Sequence, residues 1–349
     1  MDKVYNVAIF PAGSEIAFEI NNALKYSKFV NVYGLNSVSD HSAFVYKNYY
    51  NNLPYMTDEN FIKKLNKYIK DNNIDYIYPA MDMVQVYLTN NQDKINAKIV
   101  TSDPDTVNTC RSKKKTYERL KNEDFVPKVY KKVSEVNNYP VFIKPTEGQG
   151  AHGAKKIDTE EELKFCLKHS EEDLVICEYL SGTEYTVDCF TDKNGKLVFS
   201  NIRSRDRIRT GISVRSTKQK LTNEVKKIAK TINNYFNFNG AWFFQLKKNT
   251  EGKFKLLEVS PRIPGTMGLS RNMGINFPVL TLFNMWGYDV DGDGMLGAIH
   301  KDCENSGKVK EVSLDEAKEI QFLHDGTVAV MDYETGDSDS RILVVKLQD

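Results

Sequence analysis

Lys144 closes an apolar stretch, PVFIK, and Gly148, Gly150 and Gly153 follow within ten residues. A strand-borne lysine is a compact cation, and glycines let backbone N–H groups come close to oxygen atoms, so the two together make a phosphate cradle. Neither a Walker A pattern nor a kinase Gly-rich loop is matched, and a Gly-rich hairpin alone reads equally well as a structural turn. Farther along, LLEVSPR places Glu258 on a predicted strand with Arg262 four positions on, and Gln245 falls on the preceding strand of the same predicted hairpin. Facing oxygen ligands suit Mg²⁺, which takes one or two carboxylates together with substrate phosphates. An arginine beside them would stabilise charge on a phosphoryl group in transfer.

Four stretches in chain order carry a family pattern: Ser112-Lys113, the IKP strand with its Gly-rich loop, VICEYLSGTEYTVD over 175–188, and LLEVSPRIPGTMGLSRNMGINFP over 256–278. Together they resemble the ATP-grasp superfamily, most closely the ATP-binding halves of carbamoyl phosphate synthetase large subunits and the stand-alone ligases like them. The resemblance spans about residues 1–285. It implies ATP as cosubstrate with one or two Mg²⁺ ions, for which Mn²⁺ can substitute. By the same resemblance Lys113 and Lys144 meet the ATP phosphates, with Lys114 the alternative to Lys113 because the run KKK blurs the register. Gly148, Gly150 and Gly153 belong to a mobile phosphate loop, in which His152 is a further candidate contact. Glu178 and the backbone around Tyr179 and Leu180 meet the adenine, and Glu184 the ribose hydroxyls. Gln245 and Glu258 hold the metal, and Arg262 acts with Lys144 on the transferred phosphoryl group. The family usually has Asn two residues after the metal-binding Glu; here Ser260 stands there, whose hydroxyl is also able to bind Mg²⁺ or a phosphate oxygen.

The implied reaction phosphorylates the carboxylate of a small anionic molecule and ligates the resulting acylphosphate to an amine. Two rivals share these motifs: a kinase-like phosphotransferase that stops at the phosphorylated acceptor, and a non-catalytic nucleotide-binding subunit. The arginine-rich stretch NIRSRDRIRTGISVRS borders the acceptor pocket in proteins of this kind, so Arg209, with Arg271, is a candidate for the acidic substrate. Asp82 follows the predicted strand YIYPA, where open α/β sheets place ligand contacts, though a helix N-terminal Asp fits as well.

The elements that must position these residues are those of an α/β (α+β) chain. VYNVAIF, PAGSE and AFEINNALKYS read as strand, turn and helix, FVNVYGL as the next strand, and IDYIYPA as a buried strand after a helix over DENFIKKLNKYIKDNN. Residues 1–108 are thus expected to form a doubly wound pre-ATP-grasp domain, 109–187 a lid lobe, 188–290 a core lobe and 291–349 a β-rich extension. That extension has two readings, a cover for the site edge or a homodimer contact. A single basic helix is predicted over CRSKKKTYERLKNE, and hairpins turn at DKNG and NTEG.

With 349 residues, 40% hydrophobic and 27% charged, the chain is long enough for two or three cores. Its 48 Lys and Arg balance 47 Asp and Glu, so no net field argues for a nucleic-acid or membrane partner. The five cysteines lack a CxxC pair and read as reduced thiols, and the histidines form no spaced cluster for zinc or a triad. Asp289, Asp291, Asp293 and Gly294 imitate half an EF-hand loop, but His300 occupies the position of the bidentate Glu, so the stretch reads as an acidic turn. No apolar run suits a signal peptide or a membrane span, and a cytoplasmic location is expected.

Overall fold

The computed structural model describes residues 3–290, apart from 28, 149, 151 and 210, together with the backbone of 319–322 and 328–331. Strands β1 (Tyr5–Phe10), β2 (Val30–Leu35), β3 (Asn48–Tyr50), β4 (Tyr76–Pro79) and β5 (Lys98–Ile99) form a parallel sheet ordered β3-β2-β1-β4-β5. Three helices, α1 (Glu15–Leu24), α2 (Phe61–Asn72) and α3 (Asp82–Asn90), cross over between or follow these strands. The strand order reverses between β1 and β4, which opens a crevice at their carboxyl ends. Ser14 sits in that crevice. Its hydroxyl accepts from Ala17 N to cap α1 and donates to Ala80 O at 2.9 Å, holding the PAGSE turn against the end of β4.

The basic segment is two helices, not one: α4 (Pro104–Arg111) stops at Ser112 and α5 (Lys113–Arg119) starts anew. Ser112 adopts extended backbone and its hydroxyl caps α5 by accepting from Lys115 N. A serine offering its own acceptor to the backbone competes with helix continuation, and here it puts Lys113 at a helix start.

Next comes an antiparallel sheet of β6 (Val129–Tyr130), β7 (Val141–Pro145), β8 (Lys155–Ile157) and β9 (Leu174–Glu178), ordered β6-β9-β7-β8, with α6 (Glu160–His169) against it. Val141, Ile143, Ile157, Leu163 and Ile176 make its small core. A larger antiparallel sheet follows, from β10 (Glu184–Thr191), β11 (Leu197–Arg209), β12 (Ile212–Lys218), β13 (Gly240–Lys248) and β14 (Phe254–Ser260), ordered β12-β11-β10-β13-β14. Helix α7 (Asn223–Tyr235) packs Val225, Ile228, Ala229 and Ile232 on one face of this sheet with Trp242, Phe244 and Leu246. Burying one such side chain contributes about 1.5–3 kcal/mol. The chain then turns through α8 (Gly268–Asn272) into α9 (Phe277–Met285), which is apolar nearly all round. That composition suits its place, since α9 lies in a cluster that joins Val7, Ile9 and Tyr78 of the parallel sheet to Phe190 and Ala241 of the large antiparallel one. Two short antiparallel strands, β15 (Glu319–Phe322) and β16 (Val328–Met331), complete the described structure. No described helix is long and apolar enough to cross a membrane. Most of the predicted extension, and the acidic turn from 291 on, lie outside the described residues.

A buried ion pair lies within the large sheet. Arg203 and Asp188, with side chains 2% and 1% exposed, form a bidentate pair at 2.9 and 3.2 Å, and Ser270 of α8 donates to the same carboxylate at 3.0 Å. Replacing Asp188 with Ala strands a buried guanidinium, and the expected loss is about 3–5 kcal/mol in urea unfolding of the variant against the wild type.

Candidate functional site

A cavity of about 230 Å³ lies between the four-stranded antiparallel sheet and the large sheet. Lys113, Lys144, Gly148, Gly150, Glu178, Leu180, Glu184, Gln245 and Glu258 all line it. Lys144 reaches it from the end of β7. Its Nζ donates to Tyr117 Oη at 2.6 Å and to the carbonyl of Leu257 at 3.0 Å, and the Tyr117 hydroxyl donates to that same carbonyl at 2.7 Å. Leu257 has a free carbonyl because β14 bulges there: Gln245 pairs with Glu258 and Leu246 with Leu256, leaving Leu257 unmatched. The bulge also shifts the alternation of side chains. Leu256 and Val259 both enter the core, and Glu258 turns to the cavity opposite Gln245.

Of the three successive lysines, Lys113 lines the cavity, whereas Lys114 pairs with Asp173 on the exterior. Arg111 grips the glycine loop by donating from Nη1 to Gly148 O at 3.1 Å. Gly153 does not line the cavity; it has φ +70°, and a Cβ there would meet Pro145 Cγ and Glu172 Oε2 at 2.8 Å, so it shapes the loop. Tyr179 is likewise absent from the lining and places its ring 5.5 Å below Lys156 Nζ. His152 does line it. Glu178 accepts from Lys128 N at 2.8 Å, and Glu184 lies between Lys247 at 3.1 Å and Arg205 at 3.4 Å.

A second cavity, of about 430 Å³, opens at the reversal point of the parallel sheet and runs to the large sheet. Asp82 and Arg262 line it together, as a bidentate pair with Nε to Oδ1 at 2.6 Å and Nη2 to Oδ2 at 2.9 Å. Burial pushes the Asp82 carboxyl up, but the Arg262 charge and hydrogen bonds outweigh it and hold the group below the usual carboxylate range. Ser260 points its hydroxyl at Asp82 Oδ1, at 3.4 Å, and lines neither of these two cavities. Arg209 and Arg271 are not brought to either: Arg209 is exposed at the end of β11, and Arg271 pairs with Glu19 of α1 at 2.6 Å. Arginines earlier on β11, Arg203 and Arg205, line the second cavity instead. The register shift after Arg205 turns the later part of β11 outward.

Among the described residues no three His, Cys, Asp or Glu stand together as a metal cage. The Glu258 carboxylate makes no hydrogen bond to another described residue, and with Gln245 opposite it on β13 the pair offers one carboxylate and one amide oxygen. That set fits Mg²⁺, which draws its other ligands from phosphates and water.

The family model for "ATP-grasp in the biosynthetic pathway with Ter operon" matches residues 170–294. Pyruvate carboxylase from Rhizobium etli superposes with a TM-score of 0.64 at 16% identity, over 82% of this chain and 29% of that one. The biotin carboxylase domain of 2-oxoglutarate carboxylase from Hydrogenobacter thermophilus superposes at 0.66 and 15%, over 83% and 71%. The chain has the ATP-grasp fold. L-amino acid ligase from Bacillus licheniformis shares it, at 0.62 and 18%, over 81% of this chain and 74% of the ligase. A search of curated protein sequences found no match.

Within this ATP-grasp cleft, sequence reasoning passed over three groups: Tyr117, Arg111 and the Leu257 carbonyl. Burial draws the ammonium groups of Lys113 and Lys144 below the usual lysine range, with Glu258 opposing the shift in both. The unfolded chain therefore binds more protons than the folded one between the lowered pKa and the ordinary 10.5. The resulting destabilisation is fully present below the folded pKa and fades as pH rises toward the unfolded value. Lys113→Met is expected to raise the melting temperature at pH 7 by about 1–2 °C, the equivalent of ~1 kcal/mol, with the gain shrinking toward pH 10 in a calorimetric series.

Proposed function

We propose that this protein is an ATP- and Mg²⁺-dependent ligase that joins a small-molecule carboxylate to an amine through an acylphosphate. The observation that carries the reading is the convergence of Lys113, Lys144, the glycine loop, Glu178, Glu184, Gln245 and Glu258, from four separate stretches of sequence, on one cavity that shares a wall with a second. The relatives support it: the Hydrogenobacter domain is solved as a dimer with MgADP and bicarbonate, and the Bacillus protein is an amino-acid ligase. ATP occupies the first cavity and the acceptor the second.

Lys113, Lys144 and the backbone of the glycine loop bind the phosphates, Glu178 with the chain at Leu180 meets the adenine, and Glu184 meets the ribose. Gln245 and Glu258 would hold Mg²⁺, which supplies neutralisation of phosphate charge when bound. An acceptor carboxylate oxygen attacks the γ-phosphorus, and the bond from that phosphorus to the β,γ-bridging oxygen breaks, releasing ADP. The amine then attacks the acyl carbon; the C–O bond to the phosphoryl group breaks, inorganic phosphate leaves, and the nitrogen gives its proton to solvent. No covalent bond to the protein is needed, so positioning and fixed charge carry the rate. The Asp82–Arg262 pair holds one wall of the acceptor cavity in place.

The test is ADP and phosphate release from Mg-ATP across pools of carboxylic acids and amines. Turnover should require two acceptors, and Glu258→Gln or Lys144→Ala should each cut kcat about 100-fold or more. Release of ADP with one acceptor and no free phosphate would make the protein a phosphotransferase, and ATP binding without turnover in any pool would count for the non-catalytic alternative. Tyr117→Phe should raise the KM for ATP about tenfold, ~1.4 kcal/mol, and should add nothing in a Lys144→Met background, because the phenol acts only through that lysine.

A further inference from the structure

Resting on the ligase reading, we infer that Arg205 is the cation that meets the phosphoryl group as it passes from ATP to the acceptor, a catalytic residue set in the wall between the two cavities. If ATP fills the first cavity and the acceptor the second, the phosphorus in transfer must lie against residues common to both. Among the described residues these are Gly148, Gly150, Arg205, Gly211, Gln245 and Glu258. Three offer backbone only and two offer oxygen, so Arg205 is the sole side-chain cation of the shared wall. Lys113 and Lys144 line the first of these cavities and not the second, and Arg203 and Arg262 the second and not the first.

The donors point the same way. Arg262 gives Nε and Nη2 to Asp82 and Nη1 to Ile263 O, and Arg203 is held bidentately by Asp188. The Arg205 side chain is 7% exposed, donates from Nη2 to Gly211 O at 2.7 Å, and leaves Nε without a hydrogen bond, although Glu184 Oε2 lies 3.4 Å away. A buried guanidinium with an unspent donor is costly unless an anion arrives to take it. Local backbone aims the side chain: Ser216 pairs with Arg205 and Arg215 with Arg207, so Asp206 bulges out, and Ser204 and Thr217 tie its carboxylate down. During transfer Arg205 gives no proton and no electron pair; it offsets negative charge on the equatorial oxygens while the acceptor O–P bond forms and the bridging O–P bond breaks.

The experiment compares full-length wild type, Arg205→Met, Arg205→Lys and Arg262→Met by titration calorimetry with Mg-ADP and with the Mg complex of an ATP analogue carrying an imido β,γ bridge. Arg205→Met is expected to bind Mg-ADP within about twofold of wild type and the triphosphate analogue about tenfold or more weaker, with Arg205→Lys between them. Retained Mg-ADP binding certifies that each variant is folded. Equal loss for both ligands would make Arg205 a structural support of Glu184 and overturn the assignment, as would no loss for either. A selective loss in Arg262→Met but not in Arg205→Met would move the role to Arg262. Wild-type protein that fails to bind Mg-ADP would sink the ligase reading itself, and this inference with it.

Discussion

Asp82 and Arg262 stand 180 residues apart in the chain, and the ion pair between them is where the parallel sheet meets the large antiparallel sheet. Asp82 opens α3 at the strand-order reversal, and Arg262 follows the last residue of β14 by two positions. Their two parallel hydrogen bonds fix both distance and rotation, which a single contact would not. Neighbouring contacts run along the same seam: Gln85 Nε2 donates to Pro261 O at 2.6 Å, Tyr78 Oη to Pro278 O at 2.6 Å, and Arg271 holds Glu19. The second cavity has one wall from each sheet, so its width is set by this seam. A buried pair of this kind contributes little net stability compared with an apolar substitute, and its value lies in specifying one arrangement.

A chain of nearly neutral net charge concentrates cations at this cleft, and it handles them in two ways. Arg203 and Arg262 are matched to carboxylates and held rigidly. Lys113, Lys144 and Arg205 are left wholly or partly unmatched, and burial depresses the pKa of all three. The first group builds the walls and the second stores electrostatic demand that a polyphosphate would satisfy. Stability is sacrificed locally where binding needs charge.

Much of the fold was legible because its signals are short-range. The apolar runs IDYIYPA and WFFQLKK and the DKNG and NTEG turns all read correctly from alternation and turn chemistry. The split at Ser112 was missed because a run of good helix formers hides a residue that prefers to cap. That Lys144, the glycine loop, Gln245 and Glu258 line one cavity was also legible, since glycines, a lysine at a strand end and acidic residues on adjacent strands keep their types and spacing. The second cavity was not. Choosing among Arg203, Arg205, Arg207 and Arg209 depends on a bulge at Asp206 and on partners such as Asp188, brought near by tertiary folding. Tyr117 was invisible for the same reason, its partners lying 27 and 140 residues away.

The bulge at Leu257 has a bearing on how this strand tolerates change. One unmatched residue does three things: it keeps Leu256 and Val259 in the core, turns Glu258 to the cleft, and presents the carbonyl on which Lys144 and Tyr117 converge. Strict alternation would put Glu258 on the core face with Leu256. Deleting a single residue from the strand would therefore take the Glu258 carboxylate out of the cleft and remove the carbonyl that anchors Lys144 together. Substitution at Leu257 is a different matter, because the carbonyl belongs to the backbone and survives any side chain the space admits. Length at this point of the strand is constrained far more tightly than composition, so homologous strands should vary freely in the residue at the bulge and scarcely at all in the number of residues that cross it.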